Sequence, residues 1–233
     1  MRCFCNFRYA RSKRGGRGFS DVRGLLKYLQ FRDDRQDHIP GAGGPNRWVN
    51  GGLGESYQEI VARLDQLNPG NKHAYCFGVV ISPDPKALEQ VEVDPHARFV
   101  DAVKATIQEW EDWRQQHDPS QAGPIDYSFV VHRPQRDYGE QLHAHLILPA
   151  ATEHPATRTM TPLYNNRPHM ERFKEIAYHQ LDRAFGLDRE PALDRPEPEH
   201  SHAGVEDVVD EREIEFIRFF EHQAQDPSQG VEA

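Results

Sequence analysis

Apolar positions along the chain recur at two different periods, and the switches between them mark out its elements. The opening RCFCNFRY alternates with period two, which predicts a strand. After a Gly/Arg stretch, Ser20 is placed to cap a helix over DVRGLLKYLQFRD, where Val22, Leu25, Leu26 and Leu29 form one apolar stripe. Residues 38–54, HIPGAGGPNRWVNGGLG, are so rich in Gly and Pro that they predict a long loop. ESYQEIVARLDQL predicts a helix, and the apolar run HAYCFGVVIS, stopped by PDP, predicts a buried strand. From Asp94 to His117, Phe99, Val100, Val103, Ile107 and Trp110 recur every three or four residues, predicting a long amphipathic helix. IDYSFVVH and QLHAHLIL are β-rich runs joined by the polar RPQRDYGE, so they pair as an antiparallel hairpin. HMERFKEIAYHQLDRAFGL then predicts a helix closed by Gly186.

The order β-α-α-β-α-β-β-α predicts an α+β domain, a central antiparallel sheet with helices covering it, over residues 1–187. By composition, 188–205 is a linker, and 206–233 holds an acidic helix and tail. The apolar stripe of that helix would dock on the domain or on a partner such as an accessory or coupling protein.

A hydrophobic content of 37% in 233 residues is enough for one substantial core. No run approaches the roughly 18 to 20 apolar residues that cross a bilayer, and the N-terminus lacks the apolar centre of a signal peptide; the expectation is a cytoplasmic protein without a membrane partner. Cys3 and Cys5 share one strand face, and with Cys76 they make an odd number, which reads as buried free thiols.

The net charge of -9 would argue against a nucleic-acid partner if it were evenly spread. It is not: residues 1–35 carry ten Lys/Arg against three acids, a local +7, whereas residues 186–233 carry four Arg against fourteen acids, a local -10. The basic run RYARSKRGGRG is therefore either a solvated loop or a contact surface for an anionic polymer.

Candidate chemistry concentrates in GEQLHAHLILPA. In a strand, residues i and i+2 face the same way, so His143 and His145 project together and can share an ion. His132 ends the preceding strand and lies across the hairpin from the pair. Three neutral imidazoles leave coordination positions open for substrate oxygen, which suits a catalytic divalent metal. HSH at 200–202 has the same spacing without apolar flanks and reads as coincidence among thirteen histidines.

HAHLIL resembles the His-hydrophobe-His motif of the HUH endonucleases, the single-strand nickases that include plasmid relaxases and rolling-circle initiators. VRGLLKYLQFRD with Tyr28, FGVVIS with Ser82, VVHRPQRDYGEQLHAHLIL and FKEIAYHQLDRAFGL follow one another in the order of the relaxase branch, over residues 1–187. The resemblance implies Mg²⁺- or Mn²⁺-dependent nicking and joining of single-stranded DNA at an origin-of-transfer-like site, in plasmid or conjugative-element transfer. It also implies a 5′-phosphotyrosyl intermediate on Tyr28, metal on His132, His143 and His145, and a strand positioned by Ser82. Arg11, Lys13, Arg14 and Arg17 would then contact the DNA backbone. Tyr178 competes for the nucleophile's role, because HUH transposases and replication initiators place their tyrosine after the histidines. A non-catalytic binding module keeping this fold is the alternative outside enzymes.

Overall fold

In the computed structural model, the described residues are 4–10, 22–31, 47–68, 74–88, 94–117, 123–132, 135–136, 139–140, 142–154, 157–163 and 167–187. The opening alternation forms β1 (Phe4–Ala10), and the stripe of leucines forms α1 (Val22–Phe31). There follow β2 (Val49–Gly51), α2 (Tyr57–Gln66), β3 (Cys76–Ser82), the short α3 (Pro85–Leu88) and α4 (Pro95–His117). The second half holds β4 (Tyr127–His132), β5 (Gln135–Arg136), β6 (Gly139–Glu140), β7 (His143–Pro149), β8 (Ala151–Glu153), β9 (Met160–Pro162) and α5 (Arg167–Phe185). The acidic helix and the linker before it lie outside the described residues, as does Ser20.

Five strands make one antiparallel sheet in the order β1-β3-β7-β4-β2. β3 and β7 are buried along their whole length, which is why both read as continuous apolar runs instead of alternating ones. Their side chains alternate between two cores. Phe77, Val79 and Ile81 of β3 join Ala144, Leu146 and Leu148 of β7 beneath α4 and α5. Cys76, Val80 and Ile147 lie in the other core with α1 and α2. The architecture is thus α+β, with helices on both faces of an antiparallel sheet.

α4 and α5 pack on each other through Trp110 and Phe173, whose rings meet edge to face at 5.1 Å, and through Gln180, which donates to Glu109 at 2.7 Å. α5 ends where predicted: Gly186 takes φ +67, and the Leu187 amide returns to the Asp182 carbonyl at 2.8 Å. On the opposite face, Leu25, Leu26 and Leu29 of α1 are 0% exposed. Burial of this kind contributes about 1.5–3 kcal/mol per side chain and fixes the helix against the sheet.

The expected loop over 38–54 is corrected at its end, because Val49–Gly51 forms an edge strand in register with Phe129, Ser128 and Tyr127. A glycine is required there: a Cβ on Gly51 would lie 2.2 Å from the Tyr127 ring, so only a bare backbone can cover it. Asn50 then turns the chain by accepting the amides of Gly52 and Gly54 at 2.8 and 3.0 Å. The glycine-rich composition reflects close approach and turning, and does not exclude a strand. Two further short ladders, β5 with β6 and β8 with β9, were not expected.

Candidate metal centre

β4 and β7 pair as the hairpin anticipated from sequence, and their register sets His132 directly opposite His143 and Val130 opposite His145. His132, His143 and His145 therefore share the sheet face that packs under α1 and α2. They are 0, 6 and 1% exposed. Their ring centroids stand 4.9–5.3 Å apart. One potential ligand nitrogen from each lies within 4.8 Å of the others, so the cluster can hold a divalent metal ion; among the described residues no other group of His, Cys, Asp or Glu does this. Three imidazoles without a carboxylate form a neutral donor set, which leaves the ion's full charge to act on an anionic substrate.

The ring of His132 is oriented from α1. Its Nε2 lies 3.2 Å from the Leu29 carbonyl, which can only accept, so Nε2–H donates and the ring is held from the helix. This contact ties the metal centre to the residue following Tyr28. Ser82 closes β3 on the same face, and its buried hydroxyl donates to the Leu142 carbonyl at 2.9 Å, holding the chain just ahead of His143.

Tyr28 departs from expectation in one respect. The helical wheel puts it at the edge of the apolar stripe with access to a cleft, but it is 7% exposed and packs in the core of α1, α2, Trp48 and Tyr57. The reason is that α2 and the segment leading into β2 cover the flank of α1 that the stripe alone leaves open. Tyr178 is half-buried against the α4–α5 core, across the sheet from the histidines, so the structure does not bring it to the triad. Arg11, Lys13, Arg14 and Arg17 lie outside the described residues, as does Cys3. Cys5 and Cys76 are buried free thiols in opposite cores, each pushed up to about 12 by burial. Among the described residues no helix is long and apolar enough to cross a membrane.

Gln30, Arg47 and Trp48 lie near the site and were not singled out from sequence. Gln30 is 1% exposed, and its Oε1 accepts from Trp48 Nε1 at 3.3 Å and from the Tyr57 amide at 2.7 Å. Arg47 donates to the Val131 carbonyl at 3.4 Å, one residue before His132. The available signal was the lone tryptophan in RWVN, since Trp is highly buried on average and one inside a Gly/Pro-rich stretch points to a packed segment.

No protein-family model matches the chain, and no curated protein matches its sequence. The chain is similar to solved relaxase domains. The conjugative relaxase TrwC in complex with oriT DNA, metal-bound, aligns with TM-score 0.49 and 12% identity over 98% of this chain and 86% of that one. A copper-bound TrwC–oriT complex aligns with TM-score 0.48 and 12% identity over 98% and 87%. The Mn-bound MobM relaxase domain with plasmid pMV158 oriT DNA aligns with TM-score 0.48 and 11% identity over 90% and 100%.

Proposed function

We propose that the protein nicks and rejoins single-stranded DNA at a specific site, in the manner of a relaxase, with Tyr28 as nucleophile. The observation that carries this reading is the juxtaposition at α1: three buried imidazoles lie on the sheet face under this helix, and the carbonyl next to Tyr28 accepts from one of them. Tyr178, on the opposite face, has no such relation to the triad.

In the proposed reaction His132, His143 and His145 hold the metal. When bound, a divalent ion supplies Lewis-acid neutralisation of the charge that builds on the phosphate oxygens. The Tyr28 oxygen forms a bond to phosphorus and the bond to the 3′-oxygen breaks; the proton that the phenol gives up is, in net, the one taken by the 3′-oxygen, which leaves as a 3′-hydroxyl. The product is a 5′-phosphotyrosyl link that keeps the phosphodiester energy for the reverse attack. The apolar core in which Tyr28 lies, with Leu25 and Trp48 among its members, keeps water from competing with the returning hydroxyl. At 7% exposure, Tyr28 needs a local opening beside α1 before a phosphate reaches it, and that opening is a step of the reaction. Arg23 and Lys27, exposed one turn apart on α1, together with Arg11, Lys13, Arg14 and Arg17, would hold the strand's phosphates. Ser82 acts on the strand indirectly, by setting the chain before His143.

The test is a panel of labelled single-stranded oligonucleotides incubated with protein and Mg²⁺ or Mn²⁺. A covalent adduct that maps to Tyr28 and does not form when a chelator is present from the start supports the reading. Binding without any adduct, across both metals, would instead identify a non-catalytic module.

A further inference from the structure

A buried glutamine that makes two contacts through the same oxygen is unusual in the flank of an apolar helix, because an unpaired amide there costs about 1–3 kcal/mol. Gln30 occupies such a place at 1% exposure, in the last turn of α1. Its Oε1 accepts from the Tyr57 amide, the first residue of α2, and from the indole of Trp48, the residue just before β2. The same turn of α1 carries Leu29, whose carbonyl accepts from His132, and Tyr28. Phe31 completes the fastening by meeting the Tyr57 ring edge to face at 6.3 Å.

From these contacts we infer that Gln30 is a positioning residue: it clamps the last turn of α1 between α2 and β2, and so fixes both the His132 ring and the Tyr28 side chain relative to one another. The inference rests on the functional reading above for what that geometry serves. Gln30 touches neither the triad nor any reacting atom; it acts through the backbone of the turn. Both bonds use it only as an acceptor, so the clamp needs an oxygen at this position and makes no use of the amide's N–H groups. A carboxylate of the same length would also accept both donors, and the first turn of α2 favours negative charge there.

The experiment compares the full chain with its Gln30→Met and Gln30→Glu variants. The first readout is the ring-nitrogen NMR spectrum of the metal-free protein above neutral pH, where His132 should report a fixed Nε2–H tautomer. The second is the single-turnover rate of adduct formation at saturating oligonucleotide and Mn²⁺. In Gln30→Met the fixed tautomer should be lost and the rate should fall about tenfold to a hundredfold, as expected for a displaced reacting group. Oligonucleotide affinity should stay within about twofold, since the contact acts on geometry and not on binding. Gln30→Glu should recover most of both signals.

A folded Gln30→Met protein with the original His132 spectrum and rate overturns the assignment, and so does an equal loss in both variants, which would mean that an accepting oxygen is not what this position supplies. If Gln30→Met does not fold, Trp48→Phe removes one of the two donors while keeping a smaller aromatic ring, and an unchanged His132 spectrum there overturns the inference too. Failure of the unaltered protein to form any adduct counts against the function and leaves the nitrogen spectrum as the independent test of the clamp.

Discussion

Replacing His145 by alanine separates what the imidazole does for the fold from what it does for a metal. His145 is 1% exposed in β7, the middle strand of the sheet, and its register partners are Val80 on one side and Val130 on the other. Removing a ring from so enclosed a place leaves a cavity, and a loss of about 2 kcal/mol is the expected scale. For a domain of this size that lowers Tm by about 4–8 °C without added metal. The second effect has a different origin. Mn²⁺ at about one hundred times its Kd stabilises the folded state by about 2.7 kcal/mol through mass action. That raises Tm by about 5–11 °C in the unaltered protein. In His145→Ala one of three donors is gone, so the Mn²⁺-dependent rise should collapse while the metal-free decrease remains. Differential scanning fluorimetry against a Mn²⁺ series, with Ca²⁺ as a control for nonspecific charge effects, reads both. An identical Mn²⁺-dependent rise in both proteins would refute the triad as the binding site. An unchanged metal-free Tm would refute the cavity argument alone.

Tyr28→Phe removes one oxygen from a ring packed in the α1–α2 core, so the Mn²⁺-dependent Tm rise should persist while the covalent adduct disappears; mass spectrometry that places the adduct on Tyr178 would overturn the assignment. Neutralising Arg11, Lys13, Arg14 and Arg17 should weaken oligonucleotide binding and flatten its salt dependence by about 0.7 in log-log slope for each lost phosphate contact, and an unchanged slope would mark the run as a solvated loop. Glu111 is held above its ordinary 4.5, first by burial and against the opposing hydrogen bond from the Ile125 amide. A carboxyl raised in this way favours its protonated form when folded, so its ionisation lowers stability at neutral pH, and that penalty disappears below about 4.5. Glu111→Gln keeps an acceptor for the Ile125 amide and should raise Tm at pH 7 but not at pH 4; equal differences at both pH values would refute the assignment.

Much of the site could be read from the order of residues because it is built on strands. Period-two spacing places His143 and His145 on one face whatever surrounds them, and the apolar runs on either side of RPQRDYGE have few partners other than each other, which brings His132 opposite. What could not be read was set by packing between elements. A wheel drawn for α1 alone shows the stripe of Val22, Leu25, Leu26 and Leu29, but Tyr57 and Trp48 cover its flanks and widen the buried arc to roughly 200°, taking in both Tyr28 and Gln30. β2 escaped notice for a related reason. Its three residues carry almost no pattern, and its glycine is explained only by the Tyr127 ring beneath it.

The chain between His132 and His143 forms the small β5–β6 ladder, outside the five-stranded sheet, while the β4–β7 register brings the backbones of the ligands opposite one another. Ligand geometry is therefore decoupled from the length of that excursion. Residues could be added to or taken from it without shifting the three histidines along their strands, because the hydrogen-bonded register of two strands, and not the span of peptide between them, decides which residues stand opposite. A reporter peptide or a second recognition element grafted into this excursion would leave the β4–β7 register, and with it the backbone placement of the three histidines, untouched.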